Sequence, residues 1–142
     1  MIVLDTNLLI YAHREETQEH GLAKKAIEEA FTSQSTAITV FSLAEFWSIV
    51  THPLAKRRVS TPKEAQSFID ALLQDGPLQV LKPGLNFEKK LMQPAQELNI
   101  QGVRIFDLQI AVLALEHGAK QLWTHDKNFI KLPGLKVHDP IG

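Results

Sequence analysis

Two spacings of apolar residues alternate along the chain. Ile2-Val3-Leu4 is a short apolar run ending at Asp5, and Ala37-Ile38-Thr39-Val40 is a second, β-rich run bounded by Ser35-Thr36 and Ser42. Both predict buried strands. Leu78 to Leu81, Gln121 to Thr124 and Leu135 to Val137 predict three more, each after a Gly or Pro that can end the preceding element. Between them the period changes to that of a helix. Leu22, Ala26, Ile27, Ala30 and Phe31 share one face, and Phe68, Ile69, Leu72 and Leu73 share another. Thr61-Pro62-Lys63-Glu64 carries an N-cap residue, a proline at the first helical position and a glutamate at the third, with Gly76 beyond the helix end. Asp107 to His117 is apolar on several sides, as a helix covered by its neighbours would be, and Gly118 is its stop signal. Phe87 to Leu98 is also helical in pattern. Pro94 removes a backbone donor there, which predicts a kink or two short helices.

Strands alternating with helices predict an α/β fold, a parallel sheet with helices on both faces and right-handed crossovers. The 142 residues suit a single domain spanning 1–142. In such sheets ligands bind beyond the carboxyl ends of the strands, which directs attention to the residues that follow them.

Composition narrows the classes. The 15 basic and 16 acidic residues give a net charge of −1, which argues against a non-specific polyanion binder. Setting four acids aside in one site leaves 12 acidic against 15 basic residues, enough for the remaining surface to accept a phosphate backbone. With no cysteine there are no disulfides and no thiolate metal sites. The N-terminus lacks the basic stretch of a signal peptide and no apolar run reaches membrane-spanning length, so a cytoplasmic protein without membrane contact is expected.

Four acids map to the same rim of the predicted sheet. Asp5 ends the first strand, Glu45 lies one turn into the helix after the second, Asp107 opens a helix, and Asp126 follows the fourth strand. Each has a bland explanation when taken alone. Asp5 and Asp107 suit N-caps, Ser42-Leu43-Ala44-Glu45 has a capping-box pattern, and Asp126 suits a turn. Together they suit a hard divalent cation such as Mg²⁺, which prefers carboxylate oxygens and retains several waters.

Val3-Leu4-Asp5-Thr6-Asn7, Ala44-Glu45-Phe46, Phe106-Asp107-Leu108-Gln109-Ile110-Ala111 and Leu122-Trp123-Thr124-His125-Asp126 resemble the four acidic motifs of PIN-domain nucleases. The resemblance extends over essentially the whole chain and is nearest to the VapC-type toxins of bacterial toxin–antitoxin pairs. It implies a five-stranded parallel sheet in order 3-2-1-4-5, cleavage of RNA dependent on Mg²⁺ or Mn²⁺ with one or two ions bound, a homodimer, and neutralisation by a VapB-type antitoxin. The sequence departs from the pattern at Asn128, where many relatives have a further acid, so a fifth carboxylate ligand is lacking.

Phosphodiester hydrolysis needs an in-line water, a positive centre to lower its pKa, and stabilisation of charge on the phosphate and leaving oxygen. Asp5 and Asp107 are the first-choice ligands. Asp126 is assigned to a second ion or its waters, and Glu45 to ligation or to orienting the water, two roles that are exchangeable. Thr6, Asn7 and Thr124 can orient the carboxylates by hydrogen bonds, or serve only local turns. Arg104 and the run Lys56-Arg57-Arg58 are candidate phosphate contacts, with ordinary solvated side chains as the alternative. The six histidines show no zinc-motif spacing, and His125 beside Asp126 is a weak candidate.

Three other readings compete. A non-catalytic interaction domain would use the acids only as caps. An aspartyl phosphatase would carry a second Asp where Asn7 stands, and a phosphoacceptor domain would leave Glu45 and Asp107 without roles.

Overall fold

In a computed structural model that describes Met1 to Gly142, five parallel strands form one sheet in the order β3-β2-β1-β4-β5. They are β1 (Ile2–Leu4), β2 (Thr36–Thr39), β3 (Leu78–Leu81), β4 (Gln121–Trp123) and β5 (Lys136–His138). The helices are α1 (Thr6–His13), α2 (His20–Ser33), α3 (Val40–Val50), α4 (Pro62–Gln74), α5 (Phe87–Glu97) and α6 (Arg104–Glu116). The expected α/β class and strand order are both present. No helix is long and apolar enough to cross a membrane.

Strand alternation divides the core into two layers. Val3 and Ala37 point into a layer with Leu81, Leu108, Leu113 and Phe129. Ile2, Leu4 and Ile38 point to the opposite face, against Leu8, Leu9, Ile27, Phe46 and Ile69. The central strand β1 is buried throughout because both faces are covered, so its sequence is a continuous apolar run rather than an alternating one. Helix α3 contributes to both layers. Its Phe46 and Val50 pack in the second, while Phe41 packs against the first.

Several boundaries differ from expectation, and two of them bear on the acids. Helix α3 starts at Val40, with Thr39 as its N-cap accepting from the Ser42 amide at 3.2 Å. The capping box expected at Ser42 and Glu45 therefore does not form. Helix α6 starts at Arg104 with Val103 at its N-cap position, so Asp107 lies within the first turn instead of capping it. There its negative charge favours the helix dipole. By contrast, Thr61 and Glu64 form the expected capping box of α4, and Gly118 takes the left-handed conformation (φ 78°) that suits a helix stop. Helix α5 runs unbroken through Pro94, so the expected division in two does not occur. The Lys90 carbonyl that Pro94 leaves without a helical donor belongs to an exposed residue, where water can replace the bond.

Candidate active site

The site grows from the end of β1. Asp5 leaves the strand in extended conformation and becomes the N-cap of α1, its Oδ1 accepting from the Thr6 amide at 2.8 Å. Its backbone stays tied to the sheet, because the Asp5 amide donates to the Trp123 carbonyl at 2.9 Å. Its second oxygen, Oδ2, accepts from the Thr124 hydroxyl at 2.7 Å. Asp5 is thus both a cap and a carboxylate fixed at two points, and only 7% of its surface is exposed.

Thr124 is the hub of the site. Besides donating to Asp5, its hydroxyl accepts from Asn7 Nδ2 at 3.0 Å and from the Asp126 amide at 3.0 Å. One donor and two acceptor positions exhaust the capacity of a hydroxyl. Asn7 closes the loop, its Oδ1 accepting from the His125 amide at 3.3 Å. Asp126 Oδ1 accepts from the Asn128 amide at 2.9 Å, which is the local turn bond that the bland reading anticipated. Arg104 donates to the Asn128 carbonyl at 3.2 Å, linking the start of α6 to this turn.

The fold holds several of the acids close enough to feel one another's charge. Burial pushes the Asp5 carboxyl up to about 7, against the lowering effect of Thr124 and Thr6, and the charges of Asp107 and Glu45 raise it further. Asp107 is raised by burial, then by Asp126 and Glu45, with Arg104 opposing. Glu45 is raised by burial and lowered by Thr6. The Thr6 hydroxyl is itself buried with no hydrogen bond formed, beside the glutamate whose ionised form it favours. Asp5 and Asp107 each feel the charge of Glu45 and Asp5 feels that of Asp107, while Asp126 acts on Asp107 alone, yet no three His, Asp or Glu side chains stand close enough to grip one ion.

The other candidates are placed differently. Arg58, largely exposed, pairs with the partly covered Glu64 side chain at 2.7 Å. It lines the largest cavity, about 720 Å³, together with His13, Arg14, His20, Lys24 and Glu64. That cavity contains none of the four acids. Of the four acids Asp5 is buried, while Glu45, Asp107 and Asp126 are partly exposed.

Sequence reasoning missed Asp139. Its carboxylate meets His125 Nδ1 at 3.0 and 3.1 Å, and its Oδ1 also accepts from the Ile141 amide at 2.9 Å. These bonds and the adjacent imidazole hold Asp139 below the usual carboxylate range against the opposing effect of burial. A carboxylate acceptor requires Nδ1 to carry a proton, which leaves Nε2 of a neutral His125 as an acceptor. The signal for this pair was the strand register. Trp123 pairs with His138, and the Thr124 amide donates to the His138 carbonyl at 2.9 Å, so the residues just beyond both strands meet.

A parallel 3-2-1-4-5 sheet with acids clustered beyond its carboxyl ends defines a class of small acidic-site α/β domain. The PIN domain family model matches residues 2–135, and the chain belongs to that family. Its relatives are the VapC-type toxins of toxin–antitoxin systems. The chain is 29% identical over 142 residues to VapC ribonuclease Mb2897 of Mycobacterium bovis, covering 99% of this chain and 96% of that one. Its fold matches VapBC2 of Rickettsia felis bound to a promoter DNA fragment, with a TM-score of 0.69 at 24% identity over 98% of both chains. It also matches the sarcin–ricin loop cleaving toxin VapC20 of Mycobacterium tuberculosis, with a TM-score of 0.68 at 14% identity over 91% of this chain and 92% of that one.

Proposed function

We propose that this chain is a Mg²⁺- or Mn²⁺-dependent endoribonuclease and the toxin of a toxin–antitoxin pair. The convergence of Asp5, Glu45, Asp107 and Asp126 at one rim, with burial and mutual repulsion raising Asp5 to about 7, is the observation that carries this reading. A buried, repelling carboxylate cluster is costly unless protons or cations neutralise it. The donor set is all oxygen, as hard divalent cations require. Asp5 and Asp107 would be the first ligands, Asp126 would hold a second ion or its waters, and Glu45 would ligate or orient the attacking water, the last two roles being exchangeable. No three of these acids stand at ligating distance of one point, so waters would complete the shell of an ion held here, as Mg²⁺ prefers.

Bound at these residues, a divalent ion supplies the positive charge that lowers the pKa of a water and offsets charge on the phosphate. The chain supplies the rest. Thr124 and the Thr6 amide hold both Asp5 oxygens in place. Asn7 fixes Thr124 and the His125 backbone, and so sets the direction of the Asp126 loop. Arg104 lies close enough to Asp107 to lower its pKa and is exposed to a passing phosphate. Asn128, which has no carboxylate, contributes only its backbone to the turn.

The names of the relatives support RNA as the substrate, and the toxin–antitoxin complexes among the similar folds support a VapB-type partner and an oligomeric assembly. Brief expression of the protein, followed by mapping of new RNA 5′ ends beside its Asp5→Asn variant, tests this reading. New ends that appear with the wild type alone are expected. Identical 5′-end profiles from both proteins would favour the non-catalytic interaction domain.

A further inference from the structure

We infer that the cleft between α3 and α6 is a nucleobase subsite, in which one unstacked base of a single-stranded RNA lies against Phe106 and Phe41 beside the acidic rim. The inference rests on the ribonuclease reading above and adds what that reading lacks, a contact to the substrate other than its phosphate.

Helical spacing builds the cleft. Phe41, Ala44 and Glu45 follow an i, i+3, i+4 pattern on α3, and Phe106 and Gln109 stand three apart on α6, so each set forms one stripe. The two stripes line a single cleft of about 370 Å³. Ala44, exposed and small, leaves room between the rings.

The chemistry of the walls suits a base. Phe106 is 52% exposed although its neighbours Leu108 and Ile110 are buried, so its ring serves no core layer. Phe41 is braced from behind by Phe87, with ring centroids 5.8 Å apart, which keeps its ring in place. Gln109 offers a carboxamide with one acceptor and two donors, the groups that pair with a base edge. Glu45 belongs both to this cleft and to the acid cluster, so a strand whose phosphate reaches the acids passes directly over the rings. A second copy of the chain closing over the cleft would bury the Glu45 carboxylate, which is costly without a cationic partner. A single base covers the rings and leaves Glu45 open to the rim.

The test uses a short RNA carrying a fluorescent purine analogue, bound in chelator so that it stays intact, with Phe106→Ala, Phe106→Leu and Phe106→Trp proteins. Stacking predicts quenching by the wild type and by Phe106→Trp. Phe106→Ala should weaken binding roughly tenfold to a hundredfold, with Phe106→Leu closer to Ala than to Trp. In Mn²⁺ the same loss should fall mainly on KM rather than kcat. Absence of quenching by the wild type would overturn the subsite, as would equal affinities of the Ala variant and the wild type. Sedimentation guards against a surface between copies. If Phe106→Ala splits a dimer and affinity falls only in step with that splitting, the cleft is an interface and the inference is wrong. Quenching without cleavage by the wild type would refute the ribonuclease reading while supporting the subsite. Cleavage with a KM indifferent to Phe106 would do the reverse.

Discussion

Replacing Asp5 with Asn should make the metal-free protein more stable above neutral pH, even though it removes the central carboxylate of the site. Asp5 rises from 3.8 to about 7 on folding, with burial as the largest cause. Such a difference corresponds to about 4 kcal/mol of penalty on the ionised form once the pH exceeds both values. The sign follows from proton counting. Between about pH 4 and 7 the native state holds a proton that the unfolded state has lost, so stability falls as pH rises through that window and levels off above it. Asn cannot ionise and escapes this penalty. It still accepts the Thr6 amide through Oδ1, but its amide group would face the Thr124 hydroxyl, whose two acceptor positions are already filled. That mismatch costs about 1–3 kcal/mol at every pH. The informative quantity is therefore the change with pH in the difference between the two proteins, which should swing by roughly 3 kcal/mol in favour of the variant from pH 5 to pH 8. His13, whose pKa burial lowers, weakens the fold toward acid and opposes the Asp5 effect, but it is present in both proteins and cancels. Urea unfolding in EDTA measures the swing. Saturating Mn²⁺ should stabilise the wild type by about 3 kcal/mol at a hundredfold excess over its dissociation constant and leave the variant little changed. A pH-independent difference, or one that moves in favour of the wild type as pH rises, would refute the reasoning.

Thr124→Val should orphan Asp5 Oδ2, the Asn7 amide and the Asp126 amide at once, costing about 2–4 kcal/mol in urea unfolding and more in metal affinity than Thr124→Ser. Asp139→Ala should loosen the loop carrying His125 and Asp126, seen as faster amide exchange at His125, whereas Asp139→Asn, which retains an acceptor for Nδ1, should exchange more slowly than the Ala variant. Neutralising Lys56, Arg57 and Arg58 together should lower the salt slope of RNA binding by about 2 units if all three touch phosphate, and by less if Arg58 stays with Glu64, as fluorescence titration between 50 and 200 mM salt would show.

The residues most legible in the sequence are those governed by local rules. Short apolar runs ending in Asp5 or followed by Asp126 mark the strands and the rim, since a strand buried on both faces must be continuously apolar. The Thr61 box and Gly118 mark helix ends because capping chemistry is local. Where helix starts carry weak or competing signals, the reading slips by a turn. Val103 has no capping side chain, which made Asp107 look like the first residue of its helix. Ser42 was a plausible cap until Thr39 proved to be the residue that caps α3. The position of the acids after strand ends follows from the order of the motifs, but the bonds of Thr124 to residues 117 and 119 positions away depend on tertiary register. The His125–Asp139 pair depends on it too, and no local pattern encodes it.

The central claim is that the acidic rim cleaves RNA with a divalent ion. The most direct measurement incubates purified protein with single-stranded RNA in Mn²⁺, in Mg²⁺ and in EDTA, beside an Asp107→Asn variant whose folding is checked by circular dichroism. Asp107 caps no helix and makes no hydrogen bond from its side chain, so the substitution should change stability by no more than about 1 kcal/mol. Cleavage in both metals, none in EDTA, and none by the folded variant is the predicted result. RNA cut equally well in EDTA, or by the folded Asp107→Asn protein in Mn²⁺, would contradict it.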